Sequence, residues 1–310
     1  MRTTRTALTL LAILSLARGA ALAKEPTAAS NSRESMLVTV AWLAQHLSDP
    51  GLVLLHVGDK VEYEAWHIPG ARYVAVSDIS VSDRTGGGLT LEMPSAEELR
   101  QRLAALGISD GSRIVVYPGK DWLSPATRVM FTLDYAGLGA RAALLDGGMD
   151  AWVAEGHPVT ASVPAPGAGT LSPLKTRPIV VDAGRVREAL GRPGFAVVDG
   201  RSVSYYDGID TGGAREKRHC TGHIAGAGNA PFSAVFDDDQ KLRSPEELAA
   251  LLAKAGVKEG DTVIAYCHIG QQATAVLFAA RTLGHPVMLY DGSFEDWSRR
   301  AGFPVESPSR

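Results

Sequence analysis

The chain repeats itself, and no other feature constrains its fold as tightly. PSAEELRQRLAALGISDGSRIVVY, from Pro94, matches SPEELAALLAKAGVKEGDTVIAY, from Ser244. LDGGMDAWVAEGHPV, from Leu145, matches YDGSFEDWSRRAGFPV, from Tyr290, and HIPGA at His67 matches HIAGA at His223. Three blocks in one order mean two copies of one domain, with Tyr117 set against Tyr266. The period is far too long for a solenoid array. Between the copies, VPAPGAGTLSP (Val163 to Pro173) is rich in Pro, Gly and Ala and reads as a linker. The expected layout is one domain over 36–160, a linker over 161–177 and a second domain over 178–306.

Each copy alternates strand and helix. In the second, Phe195 to Asp199 is a short apolar run ending in an acid, and Thr262 to Tyr266 and Val287 to Tyr290 are further buried strands. Ser244 is placed as an N-cap with Pro245 at N1 and acids in the first turn, and Gly256 stops that helix. Ala273 to Leu283 reads as another helix. The fold class is α/β: two tandem domains, each a mainly parallel sheet with helices on both faces. Ligands in such sheets bind outside the carboxyl ends of the strands.

Cys267 stands at such an end, followed by His268, Ile269, Gly270, Gln271 and Gln272, with a helix starting near Ala273. A thiol there meets backbone N–H groups and the positive end of a helix dipole, which favour the thiolate. The same donors suit an anion. The bland alternative is a buried, inert cysteine. The only other cysteine is Cys220. It reads as a bystander, with reversible pairing to Cys267 left open.

C-x-x-G-x-x-A at Cys267, GHIAGAGNAPF at Gly222, DGR at Asp199 and YDGSFEDW at Tyr290 together resemble the rhodanese superfamily over nearly all of residues 36–305. The resemblance implies that Cys267 takes a sulfane sulfur as a persulfide and passes it on, with no metal or organic cofactor. The six-residue loop from Cys267 to Gln272 is similar to that of the sulfurtransferases; related phosphatases and arsenate reductases have one residue more. It looks nearest to bacterial thiosulfate enzymes reading C-R-I-G, with His268 in the arginine's place. The expected reaction moves sulfur from thiosulfate to a thiol or cyanide. The alternatives are 3-mercaptopyruvate as donor, or a non-catalytic persulfide carrier. The partners are thus a small anionic donor and a small acceptor, and a monomer is expected.

The loop residues His268 to Gln272, with Arg201 and Arg218, are the candidate substrate contacts. For Arg201 the preferred reading is structural, a bidentate pair with Asp199 that holds the loop, with contact to the substrate anion as the alternative. Arg218 belongs to a charged run, Arg215 to Arg218, whose preferred reading is a solvated face. Asp199, His223 and Asp291 are expected to support the site, with Asn229 and Trp297 as anchors. His268 is the loop's one source of positive charge, available only when protonated. After Tyr117 the first copy reads Pro118-Gly119-Lys120-Asp121-Trp122, without cysteine, and Val57-Gly58-Asp59-Lys60 stands in place of DGR. That copy is expected to be catalytically inactive.

Charge and composition narrow the rest. With 31 basic and 34 acidic residues no basic surplus points to nucleic acid. Arg2 and Arg5, an apolar run from Ala7 to Ala17, and Ala21-Leu22-Ala23 read as a signal peptide over 1–23 with Lys24 first in the mature chain. The apolar run is shorter than the roughly 20 residues a membrane span needs. Its removal leaves 28 basic against 34 acidic residues. The expected location is periplasmic or secreted, with no membrane association after signal removal.

Overall fold

The computed structural model describes residues 33–83, 85, 87–120, 123–165, 167–210 and 221–307. The expected signal peptide, Arg218 and Cys220 lie outside these. The first copy contains β1 (Leu37–Val38), β2 (Leu52–Val57), β3 (Arg72–Tyr73), β4 (Arg113–Pro118) and β5 (Ala142–Leu145). They form one sheet in the order β1-β5-β4-β2-β3. The second copy contains β6 (Val180–Val181), β7 (Phe195–Asp199), β9 (Gly228–Asn229), β10 (Thr262–Tyr266) and β11 (Val287–Tyr290), in the matching order β6-β11-β10-β7-β9. Every pairing in both sheets is parallel. A small antiparallel pair, β8 (His223–Ile224) with β12 (Val305–Glu306), closes the second copy. The bridge between His67 and Thr160 is its counterpart in the first.

The helices are α1 (Val40–His46), α2 (Lys60–Ala65), α3 (Ala96–Ala105), α4 (Leu123–Tyr135), α5 (Gly148–Ala154), α6 (Ala183–Ala189), α7 (Val203–Tyr206), α8 (Pro245–Lys254), α9 (Ala273–Thr282) and α10 (Ser293–Trp297). The matched blocks fold alike because their local chemistry is alike. Ser95 and Ser244 both cap a helix through a capping box, with Glu98 and Glu247.

Strand side chains alternate between two cores, as period 2 requires. Val53, Leu55, Ile114 and Val116 face one side together with Ala196, Val198, Val263 and Ala265 of the other copy. Leu54, Val115 and Tyr117 face a separate cluster beneath α1 and α5. Val197, Ile264 and Tyr266 face another beneath α6 and α10. The first of these cores is shared by both domains and contains Cys267. Across it α4 meets α9, with the Thr127 and Thr274 hydroxyls 2.9 Å apart.

The segment expected as a linker lies along the first domain. Gly169 N–H donates to the Ala104 carbonyl at 2.7 Å, Ser172 bonds to Asp110, and Leu171 is buried. The sheet register also corrects one reading. Tyr266 pairs with Asp199, and Tyr117 pairs with His56. DGR therefore does have a counterpart, His56-Val57-Gly58, and Asp59 instead caps α2.

Candidate active site

Cys267 follows the last residue of β10 and is 1% exposed. The loop after it is held by its carbonyls. Phe294 N–H donates to the Cys267 carbonyl and Glu295 N–H to that of His268, each at 3.0 Å. Arg128 Nη1 donates to Gly270 O at 3.0 Å. Thr274 reaches Gln271 O with its N–H (3.2 Å) and its hydroxyl (2.6 Å), and Ala275 N–H reaches Gln272 O. Among the described residues no peptide bond is cis. In a trans peptide C=O and N–H point opposite ways. The N–H groups that follow anchored carbonyls, those of Ile269, Gln271, Gln272 and Ala273 among them, therefore face away from the anchors. Among the described residues none accepts from the backbone N–H of Ile269, Gly270, Gln271, Gln272 or Ala273. Gly270, at φ +79°, is required where it stands: a Cβ would meet the Asp291 carbonyl at 2.8 Å and Arg128 Nη1 at 2.9 Å.

Arg201 is committed to Asp199. Its Nη2 donates to Asp199 Oδ2 at 2.6 Å and to the Gly222 carbonyl at 2.7 Å, and its Nε lies 3.0 Å from Asp199 Oδ1. Both side chains are buried, and the guanidinium lies 4.2 Å from the Phe294 ring centroid. Such a pair is internally neutral, so this cation brings little net charge to the loop. Asn229 Nδ2 donates to the carbonyls of Asp199 (3.0 Å) and Arg201 (2.9 Å). His223 stacks on Tyr206 with ring centroids 3.6 Å apart and donates through Nδ1 to the Tyr206 carbonyl. Asp291 accepts from Arg128 Nη1 at 2.7 Å and from Met93 N–H at 2.6 Å. Trp297 is fully buried, its indole N–H donating to the Pro304 carbonyl.

His268 is the clearest departure from expectation. Its ring packs edge-on against Tyr205, centroids 4.5 Å apart. Burial, and then the nearby Arg201 guanidinium, push it down to about 4. It is neutral at physiological pH and does not supply the partial positive charge expected of it. Gln271 reaches the first domain, its Nε2 lying 3.4 Å from Ser124 Oγ.

Two residues not singled out in the sequence complete the site. Arg128, from α4 of the first domain, is fully buried and joins Gly270, Asp291 and the Leu91 carbonyl. Nothing local marks it, because two of its partners, Gly270 and Asp291, lie in the other copy. Ser293 accepts from Cys267 N–H at 3.2 Å. Its signal was readable: the repeat sets it against Gly148, and both have left-handed backbones.

The first copy has the same frame with other contents. Pro118 stands where Cys267 does, His56 where Asp199 does, and Gly58 where Arg201 does. Among the described residues no group of three or more His, Cys, Asp or Glu is placed to hold a metal ion, and no helix is long and apolar enough to cross a membrane.

A doubled parallel α/β frame, with one copy presenting a cysteine at the head of a loop whose N–H groups have no acceptor among the described residues, suits a thiol-dependent group-transfer protein. The chain belongs to the rhodanese-like family, whose domain model matches residues 39–155 and 182–300. It is 31% identical to a thiosulfate sulfurtransferase of Rattus norvegicus, over 86% of this chain and 92% of that protein. It is also 31% identical to a probable 3-mercaptopyruvate sulfurtransferase of Pseudomonas aeruginosa, over 87% of this chain and 98% of that one. Among solved structures it resembles YnjE, with a TM-score of 0.78 and 25% identity, over 90% of this chain and 70% of that one. It also resembles EanB in a Cys-persulfide state, with a TM-score of 0.80 and 23% identity, over 89% and 71%. That last likeness bears on the fold alone.

Proposed function

We propose that the chain is a sulfurtransferase that moves a sulfane sulfur from thiosulfate through a Cys267 persulfide. The Cys267 thiolate attacks the outer sulfur, the S–S bond of thiosulfate breaks, and sulfite leaves with the bonding electron pair. A thiol or cyanide acceptor then attacks the terminal sulfur of the persulfide, and the Cys267 thiolate returns as leaving group. The observation that carries this reading is the carbonyl-anchored loop, whose N–H groups from Ile269 to Ala273 have no acceptor among the described residues. Fixed donors of that kind ease charge on the sulfur and on the departing anion without reorganising. Steady-state turnover, as opposed to a single loading, separates an enzyme from a carrier.

A second donor has a specific observation in its favour. His268 is neutral and Arg201 is paired with Asp199, which suits the single carboxylate of 3-mercaptopyruvate better than a dianion. The test offers both donors at equal concentration and follows sulfite and pyruvate. Faster sulfite supports thiosulfate; faster pyruvate reverses the assignment. Cys267→Ser should take up no sulfur from either donor, by intact mass. Sulfur on that variant, or on a peptide from the first domain, would end the persulfide mechanism at Cys267.

A further inference from the structure

Among the described non-glycine residues, Leu91, Gln240 and Ser293 hold a left-handed backbone, and Ser293 is the one that touches the cysteine. Its φ is 52° and its side chain is fully buried. Its hydroxyl accepts from Cys267 N–H at 3.2 Å and donates to the Tyr290 carbonyl at 2.9 Å. The first copy places Gly148 at the equivalent start of a helix, at φ 53°. Glycine adopts that conformation without a Cβ penalty. The cysteine-bearing copy keeps a side chain where its backbone favours none, and the use of that side chain is its hydroxyl.

The contrast between copies shows what the hydroxyl serves. In the first copy Pro118 replaces Cys267 and has no N–H to satisfy, and a Cβ at Gly148 would meet Pro118 Cγ at 2.7 Å. In the second copy the peptide between Tyr266 and Cys267 is pinned at both ends. Its carbonyl accepts from Gly200 N–H at 2.8 Å and its N–H donates to Ser293. The next carbonyl, that of Cys267, accepts from Phe294. With both flanking peptide planes fixed, the direction of the sulfur rests on its single χ1 rotamer.

We propose that Ser293 is a positioning residue for sulfur transfer: it accepts a strained backbone in order to lock the peptide that carries the reactive sulfur. This rests on the reading of Cys267 as the sulfur carrier. Without the hydroxyl, a buried N–H beside the thiol loses its acceptor, and the peptide turns to find another.

Ser293→Gly and Ser293→Ala in the full chain test it. Glycine removes both the strain and the hydroxyl; alanine removes the hydroxyl alone. Single-turnover loading of Cys267 from thiosulfate and, separately, from 3-mercaptopyruvate is followed by intact mass beside the thermal midpoint of each preparation. The glycine variant should hold its midpoint at or above that of the parent while loading about tenfold slower at saturating donor. The alanine variant should lose both. Loading at the parent rate in Ser293→Gly overturns the proposal, as does a glycine midpoint that falls as far as that of alanine. If the parent itself loads from neither donor, the sulfur-carrier reading fails separately. The rate of Cys267 alkylation by iodoacetamide still reads the positioning role: slowing in Ser293→Gly supports it, and an unchanged rate refutes it.

Discussion

His268 stands in a loop whose chemistry would profit from charge, yet it carries none near neutrality. Burial removes the water that would solvate an imidazolium, and Arg201 opposes a second cation beside it. A group titrating near 4 cannot shape a rate profile between about pH 5.5 and 8. The ratio of thiosulfate loading rates for the parent and His268→Gln should therefore stay flat across that range. A step near the ordinary histidine value would contradict the neutral assignment. His268→Arg places a permanent charge beside the loop, and thiosulfate kcat/KM should rise about fivefold, with a smaller gain for the monoanionic donor. Steady-state kinetics on both donors check the two expectations together.

The ends of β2 and β7 show how equivalent strands were given different tasks. Asp199 ends β7 and holds Arg201; His56 sits in the same register on β2, fully buried, with both ring nitrogens lacking a hydrogen-bond partner among the described residues. Burial, and then His67, lower it to about 4. The folded state thus binds the proton more weakly than the unfolded chain, whose histidine titrates near 6.5. The resulting stability is complete above that value and is lost as the pH falls toward 4. Full protonation costs about 3 kcal/mol. His56→Phe, among Tyr63, Tyr73 and Tyr117, should lose less stability than the parent between about pH 6.5 and 4 in urea titrations. An unchanged acid limb would show that His56 is not responsible. The elements themselves were legible: β7, β10 and β11 match their apolar runs, and α8 starts at its capping box. The His56 register was not, because the DGR motif was matched by letters where the pleat, not the motif, decides which residues face one another. Arg128 was hidden for a related reason, since a contact between copies leaves no periodicity in either.

What the cysteine-free copy does for the other is answered by what it touches. One core runs through both domains, so neither sheet face is complete alone. Arg128 binds Gly270 O, Asp291 Oδ1 and Leu91 O at once, and Thr90 N–H reaches Glu295 Oε2 at 2.9 Å. The first domain therefore fixes the loop and the helix that follows β11, while Arg177 ties the start of the second copy back to Asp134. Coupling of this kind predicts one cooperative unfolding transition, coincident by far-UV circular dichroism and by tryptophan fluorescence. Buried ion pairs are costly to break, since the survivor keeps its charge without its partner. Arg128→Gln should lower stability by about 3 kcal/mol, and sulfur loading should fall with it because Gly270 O loses its anchor. Asp291→Asn should cost a comparable amount. The double variant should fall short of the sum by about 1–3 kcal/mol, since each change already strands the other partner. Two separated transitions, with the second unmoved by Arg128→Gln, would show that the domains fold independently and that the first is no more than a tether. Additive costs in the cycle would instead leave the domains coupled through the shared apolar core alone.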